Sequence, residues 1–195
     1  MSILILVIMV SMIHFPTVLQ WVYQQYHFID QKLEQKQSFI KLAKAPWISA
    51  LGYSLEFCKG LLLPNIVEIY SYSDALMSAT FIILLSGYIF NPLQKFKPRK
   101  HDWVVLFLGV LYFLSPISSV IFMLTLGISM LLTNAVPWSY IIAMIITGST
   151  INMTVTASYL FYFITALLPL SIIISIQLYE FYTFKKGRLI SVIKS

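Results

Sequence analysis

A cluster of positive charge lies between two long apolar runs of the chain. Within six consecutive positions the sequence places four cations: Lys95, Lys97, Arg99 and Lys100. Ammonium and guanidinium groups this close together can bind a phosphate through charge-assisted hydrogen bonds, each worth ~1.5–3 kcal/mol. This basic segment, with His101 beside it, is therefore either a signal that only orients the chain in a membrane or a segment that also binds a phosphorylated headgroup or substrate.

A second candidate site is a pair of opposite charges inside an apolar run. Glu56 and Lys59 are three residues apart, so they share one face of a helix. Each charge would cost ~2.5–3.5 kcal/mol at a bilayer centre, so neither is expected to face lipid. We expect the two side chains to face the interior and to pair. The pair then has either a functional role or the structural role of neutralising itself.

The remaining histidines and the cysteine form no recognisable site. His14, His27 and His101 lie in separate regions, and no Ser/His/Asp grouping or metal motif has the necessary spacing. We interpret His14 as a hydrogen-bonded residue inside a helix bundle. The single Cys58 cannot form an intrachain disulfide, has no metal-ligand neighbours and is expected to be a core thiol. Neither a metal nor another cofactor is expected.

The composition restricts the elements that can position these groups. Hydrophobic residues make up 59% of the 195 residues and charged residues only 10%. Several apolar runs approach the ~20 residues that cross a ~30 Å hydrocarbon layer. Residues 1–195 are therefore predicted to form one membrane-embedded domain, an all-α, polytopic integral membrane protein in contact with membrane lipids. A water-soluble core is excluded.

The net charge of +6 does not indicate a nucleic-acid partner, because the cations are clustered. Twelve of the thirteen Lys and Arg lie in three short segments: Lys32, Lys36, Lys41 and Lys44; Lys95, Lys97, Arg99 and Lys100; and Lys185, Lys186, Arg188 and Lys194. Cations in short loops are kept on the cytoplasmic side of a membrane, so this bias predicts the orientation of the helices.

Seven apolar runs, some of them short, are predicted to be transmembrane helices. They cover Ser2 to about Trp21, Trp47–Ile66, Ala75–Phe90, Trp103–Leu114, Ile117–Thr133, Trp138–Val155 and Tyr159 to about Tyr182. The fourth and fifth runs could instead form one helix kinked at Pro116. Splitting them there brings all basic segments to one side, which predicts an N-terminus outside and a C-terminus inside. The first run lacks a basic n-region and a small-residue cleavage site, so we expect it to be retained as a span.

The order of these features resembles a known family. An acid-x-x-Lys-Gly-Leu pattern comes first, formed by Glu56, Lys59, Gly60 and Leu61. Gly-x-x-Phe, Pro-x-x-Lys-Phe-Lys and a further cation follow, formed by Gly87, Phe90, Pro92, Lys95, Phe96, Lys97 and Lys100. With seven spans and an outside N-terminus, this layout is similar to that of the acyl-phosphate:glycerol-3-phosphate acyltransferases of the PlsY type. The chain resembles a divergent member of this family.

This resemblance implies an enzyme of the bacterial inner (cytoplasmic) membrane that acts in phospholipid biosynthesis. Such an enzyme transfers an acyl group from acyl phosphate to the 1-hydroxyl of glycerol 3-phosphate. Lys59 and the cations of the basic segment would bind phosphate, with Glu56, Gly87, Tyr88 and His101 in support. The resemblance assigns no catalytic residue and implies no cofactor.

Several positions depart from the pattern of the family. Where the family has Phe-Lys-Gly-Gly-Lys-Gly, this chain has Phe96, Lys97, Pro98, Arg99, Lys100 and His101. Glycines let successive N–H groups form an anion nest, whereas proline has no N–H, so side chains are expected to bind the phosphate instead. The motif histidine corresponds to Tyr88, and the family's C-terminal histidine motif is absent.

The family's Ser-Gly-Asn motif after the first span is also absent, and only Ser38 offers a hydroxyl near the expected place. Ser38 lies in the polar stretch 26–46, which mixes apolar residues with cations. This stretch is interpreted as an amphipathic helix at the inner membrane interface. The functional alternative is that it forms the first wall of an active site at the cytoplasmic face.

Three functions from different classes follow from these observations. The first is an acyltransferase with variant motifs. The second is a catalytically silent relative that binds lipid or a partner membrane protein. The third is an unrelated small transporter component, which is disfavoured because ionisable residues within the spans are few and no inverted repeat is evident.

Overall fold

A computed structural model gives the arrangement of most of the chain. It describes residues 2–19, 21–23, 46–70, 73–89, 103–133 and 135–193. Within these ranges the chain is helical apart from short connections, and it contains no strand. The all-α fold class predicted from the sequence is confirmed for this part of the chain.

Eight helices account for the described residues. They are α1 Ser2–Ser11, α2 Phe15–Tyr23, α3 Pro46–Tyr70, α4 Asp74–Ile89, α5 Trp103–Leu114, α6 Pro116–Thr133, α7 Val136–Thr154 and α8 Ala157–Ile193. Proline occupies the first turn of α3, α6 and α7, where its missing N–H leaves no hydrogen bond unmade. The helices coincide with the seven apolar runs, except that the first run is divided into α1 and α2.

The helices differ in their ability to cross a membrane. Among the described residues, α6, α7 and the stretch Ala157–Thr183 of α8 are long and apolar enough, and α1 with α2 adds a fourth if the bent pair is one span. Three or four helices of sufficient length and apolar character are fewer than the seven predicted spans. The physical reason is that α4 has 16 residues, α5 has 12, and α3 carries Glu56, Lys59 and Glu68. Several apolar helices of this kind are compatible with a membrane protein.

The connection between α5 and α6 is a sharp turn. The rings of Phe107 and Phe122 lie 5.4 Å apart in an edge-on arrangement, although fifteen residues separate them. In one continuous helix the same residues would be ~22 Å apart. The two helices therefore fold back on each other at Ser115 and Pro116, so the fourth and fifth runs are separate helices and not one kinked helix.

The short helix α5 lies at the centre of the bundle. Seven of its 12 residues are buried, as expected for a helix that is apolar on every side. It crosses α3 at a pair of glycines: a Cβ on Gly60 would overlap the carbonyl oxygen of Leu106, and one on Gly109 would overlap that of Phe57. Small residues let helix backbones approach this closely, so Gly60 fixes α3, and with it Glu56 and Lys59, against the core.

Candidate functional site

The first apolar run is broken inside the bundle. Helix α1 ends at Ser11, α2 begins at Phe15, and their axes differ by 58°. Pro16 explains the break, because proline has no N–H to donate and its ring clashes with the carbonyl four residues earlier. A break in apolar surroundings frees backbone N–H and C=O groups that need new partners.

Two charged side chains of α3 supply partners on both sides of the break. Glu56 Oε1 accepts the Phe15 N–H at 2.8 Å, and Lys59 Nζ donates to the Ile13 carbonyl at 2.7 Å. The two charges also pair with each other, since Lys59 Nζ lies 2.6 Å from Glu56 Oε2. Glu56 is 0% exposed and Lys59 4%. The prediction that the two residues face the interior and pair is confirmed.

The helix dipoles favour the placement of both charges. The C-terminal end of a helix carries partial negative charge and the N-terminal end partial positive charge. Lys59 bonds to the chain just after the end of α1, and Glu56 bonds to the first residue of α2. Each side chain thus lies at the helix end of opposite sign, which lowers the free energy of burying the pair.

The first turn of α2 has a partner for every backbone donor. Phe15 donates to Glu56, Pro16 has no N–H, Thr17 N–H donates to His14 Nδ1 at 3.2 Å, and Val18 N–H donates to the His14 carbonyl at 3.0 Å. His14 is therefore the N-cap residue of α2, in the position where a side-chain acceptor usually serves the third helical N–H. Over residues 15–18 no backbone N–H is therefore left to bind an external anion.

Helix α4 joins this arrangement through its last turn. Tyr88 Oη lies 2.9 Å from His14 Nε2, and the centre of the Tyr88 ring lies 5.0 Å from Lys59 Nζ, a cation–π distance. A Cβ on Gly87 would overlap Ser11 Oγ, so the close approach of α4 to α1 requires glycine there. We call His14, Glu56, Lys59 and Tyr88 the break cluster.

The break cluster contains part of the set of site residues predicted from the sequence. Glu56, Lys59 and Tyr88 belong to it although α3 and α4 are separate in the sequence, and Gly87 lies beside it against Ser11. The others lie outside the described residues and their roles stay predictions: Ser38, Lys95, Lys97, Arg99, Lys100 and His101.

A second polar cluster links α8 to the facing ends of α3 and α4. Tyr159 Oη donates to Glu68 Oε1 at 3.2 Å, and Tyr162 Oη donates to Asp74 Oδ1. Glu68 is half-buried and Asp74 exposed. We call these four residues the tyrosine–carboxylate cluster. On α3, Lys59 and Glu68 are nine residues apart, which places the two clusters ~14 Å from each other along the helix.

Two further expectations concern cysteine and metal ions. Cys58 is exposed, so its interpretation as a core thiol is wrong. The physical reason is that Glu56 and Lys59 occupy the buried face of α3, and Cys58 falls on the other side together with Leu55 and Leu62. In the described ranges no group of three or more His, Cys, Asp or Glu side chains could hold a metal ion.

The break itself is the feature that sequence reasoning missed. His14 was interpreted only as a bundle residue, and the run from Ser2 to Trp21 as one span. The signal that could have found the break is Pro16 in mid-run, preceded by His14, a side chain able to cap a helix. Comparisons with known proteins add no identity here, since no family model, curated protein or solved structure matches the chain.

Proposed function

We propose that the chain is a membrane-embedded acyltransferase that transfers an acyl group from acyl phosphate to glycerol 3-phosphate. The observation that supports this proposal is the convergence of the two halves of the sequence pattern. Lys59, from the acid-x-x-Lys-Gly half on α3, lies over the ring of Tyr88, which follows Gly87 of the second half in the last turn of α4. Helix α4 ends at Ile89, so the basic segment follows within a few residues of this contact.

The proposed topology has seven spans, with the N-terminus outside and the three basic segments at the cytoplasmic face of a bacterial inner membrane. It is supported by helices at each of the seven apolar runs and by the reversal of direction between α5 and α6. The short helix α5 is compatible with such a bundle because its neighbours bury it. The clustered cations give the orientation.

In the proposed reaction the 1-hydroxyl oxygen of glycerol 3-phosphate attacks the carbonyl carbon of the acyl phosphate. A new ester C–O bond forms, the C–O bond to phosphate breaks, inorganic phosphate leaves, and the hydroxyl proton passes to a base. Both substrates carry phosphate, which the cations of the basic segment would bind at the membrane surface. Lys59 would contribute positive charge behind Tyr88, with Glu56 holding it in place.

The proposal is tested with the purified chain in lipid nanodiscs, given palmitoyl phosphate and glycerol 3-phosphate. The expected product is lysophosphatidate. Arg99→Gln should raise the KM for glycerol 3-phosphate by ~10- to 150-fold, the effect of losing one charge-assisted hydrogen bond of ~1.5–3 kcal/mol. Lys194→Gln is the matched control, because it removes one cation from another basic segment. No product at concentrations that saturate an established acyltransferase of this type would refute the proposal.

A second candidate is the catalytically silent relative that binds lipid or a partner membrane protein. It is favoured by the engagement of Glu56 and Lys59 with the backbone of the broken run, a structural role that an inactive chain would keep. Binding of glycerol 3-phosphate or anionic lipid without turnover in the same assay would favour it.

The transporter interpretation is disfavoured by the break cluster. In many transporters the N-terminus of a half-helix binds an anionic group of the substrate near the membrane centre. In this chain the corresponding N-terminus of α2 already holds the carboxylate of Glu56. The break is therefore neutralised by the chain's own side chains.

A further inference from the structure

We infer that His14 is a positioning residue with two separable contacts, one that caps α2 at the break in the first run and one that orients the Tyr88 phenol. One nitrogen of its ring caps α2 and the other holds Tyr88 on α4. The inference assigns a role to a side chain that the phosphate-binding set does not include. Its catalytic consequence rests on the proposed function, whereas the assignment of the two contacts does not.

The hydrogen bonds of His14 fix the tautomer of its ring. A backbone N–H can only donate, so the Thr17 N–H at 3.2 Å requires Nδ1 to be an acceptor. The Thr17 hydroxyl, 2.7 Å from the same nitrogen, then donates as well. A neutral imidazole with an acceptor at Nδ1 carries its proton on Nε2. In that tautomer, Nε2 donates to Tyr88 Oη, which lies 2.9 Å away.

The contact is shielded, so water does not replace it. His14 is 5% exposed and Tyr88 1%, and their ring centres lie 5.2 Å apart at a tilt of 51°. A donor fixed on one side of the Tyr88 oxygen restricts the directions in which the phenol can donate its own proton. Hydrogen bonds in series also strengthen each other in a low-dielectric interior.

The position of Tyr88 in the sequence relates the orientation of its phenol to the basic segment. Tyr88 is the penultimate residue of α4, and the basic segment follows. His14 lies between Ile13 and Phe15, which Lys59 and Glu56 hold, so release of those two contacts would let His14 move away from Tyr88. The Glu56–Lys59 pair that holds the break therefore also holds, through His14, the phenol at the start of the proposed phosphate site.

Two substitutions separate the two sides of the ring. In His14→Asn the side-chain carbonyl can still cap α2, because asparagine is among the best N-cap residues, but it is too short to reach Tyr88. In His14→Gln the longer amide can still donate to Tyr88, while the cap geometry is lost. Tyr88→Phe removes the phenol oxygen and leaves the cap intact.

The experiment follows both sides at once in detergent micelles. The Thr17 amide exchange rate reports the cap, and the ¹⁹F signal of 3-fluorotyrosine at position 88 reports the phenol. We expect His14→Asn to keep Thr17 protected and shift the ¹⁹F signal. We expect His14→Gln to keep the signal and quicken Thr17 exchange by about fivefold, in line with a lost N-cap.

An unchanged ¹⁹F signal in His14→Asn, or a signal that moves equally in both variants, would overturn the inference. If His14→Gln fails to fold, the ¹⁹F signal of His14→Asn and the Thr17 exchange rate of Tyr88→Phe still test the inference. An exposed Thr17 amide in Tyr88→Phe would show that the cap and the phenol contact are not separable. Where turnover is present, His14→Asn should lower kcat about tenfold and leave KM within about twofold, a split that a general loss of folded protein would not produce. The expected ¹⁹F and exchange results without turnover would instead remove only the proposed function.

Discussion

The break cluster and the tyrosine–carboxylate cluster solve different problems with similar residue types. In the first, Glu56 and Lys59 are buried and compensate each other. In the second, Glu68 is half-buried, Asp74 is exposed, and each accepts a hydrogen bond from a tyrosine. Among the side chains that the structure describes, no cation pairs with these two carboxylates.

The difference shows where this chain can keep a charge. An interior charge is retained where a broken helix presents backbone groups of opposite polarity, so the side chain and the backbone satisfy each other. Near a helix end that reaches solvent, a carboxylate needs only one uncharged hydrogen-bond donor from the protein, because water supplies its remaining hydrogen bonds. The break cluster should therefore respond far more strongly to the loss of one partner than the tyrosine–carboxylate cluster.

The largest effect is expected for Lys59→Met, which keeps most of the side-chain volume. It leaves Glu56 as an uncompensated buried charge and the Ile13 carbonyl without this donor. Removing one partner of a buried pair typically costs ~3–5 kcal/mol. Unfolding by dodecyl sulfate in mixed micelles measures the loss. A loss below about 1 kcal/mol would mean that the Glu56–Lys59 pair is solvated and that the break cluster behaves like the tyrosine–carboxylate cluster.

The next effect concerns the close packing that supports the break cluster. A Cβ on Gly52 would lie 2.6 Å from the Pro16 Cα, a backbone atom that cannot move aside. Gly52→Ala should therefore destabilise the protein by ~1–3 kcal/mol in the same assay. Gly127→Ala is the matched control, because nothing lies within 4 Å of its Cβ. In a helix that change should stabilise by ~0.5–1 kcal/mol, so equal losses would contradict the packing.

A smaller effect is expected for Tyr162→Phe in the tyrosine–carboxylate cluster. It removes the hydrogen bond to Asp74, whose exposed carboxylate can bind water instead. The loss should be ~0.5–1.5 kcal/mol, the usual net value of one hydrogen bond. Tyr179→Phe, at a side chain 72% exposed, is the control and should change the unfolding midpoint little. A loss as large as that of Lys59→Met would erase the contrast between the clusters.

The smallest effect is expected for Tyr159→Phe. The hydrogen bond from Tyr159 to half-buried Glu68 is long, at 3.2 Å. The phenylalanine ring keeps the packing against Phe113 and Tyr162. The change should cost no more than ~1 kcal/mol. The measurement is the same unfolding transition, and a stabilised variant would show that the contact to Glu68 is unfavourable.

Much of the fold was predictable from apolar patterning. The all-α class, the positions of the helices and the turn at Ser115 follow from runs of apolar residues and from proline. The number of membrane crossings does not follow in the same way. The length and charge of an apolar run can be taken directly from its own residues. The burial of a short helix such as α5 depends instead on the neighbouring helices that pack around it.

Glu56, Lys59 and Tyr88 of the candidate site were predictable from the sequence, but His14 and the backbone partners were not. Spacing alone places Glu56 and Lys59 on one helical face. That their partners are Ile13 and Phe15, more than forty residues earlier, depends on the packing of α3 against the broken run. The exposure of Cys58 shows the same limit, because an apolar run gives no sign of which face meets the core.

The central claim is that Glu56 and Lys59 act as one unit that holds the broken helix, and a double-mutant cycle tests it most directly. Glu56→Leu, Lys59→Leu and the double variant are compared with the parent by unfolding in mixed micelles. If the pair is one unit, the double variant should be destabilised less than Lys59→Leu alone, because no uncompensated charge remains buried. Losses that add up within about 0.5 kcal/mol would show two independent residues and contradict the claim.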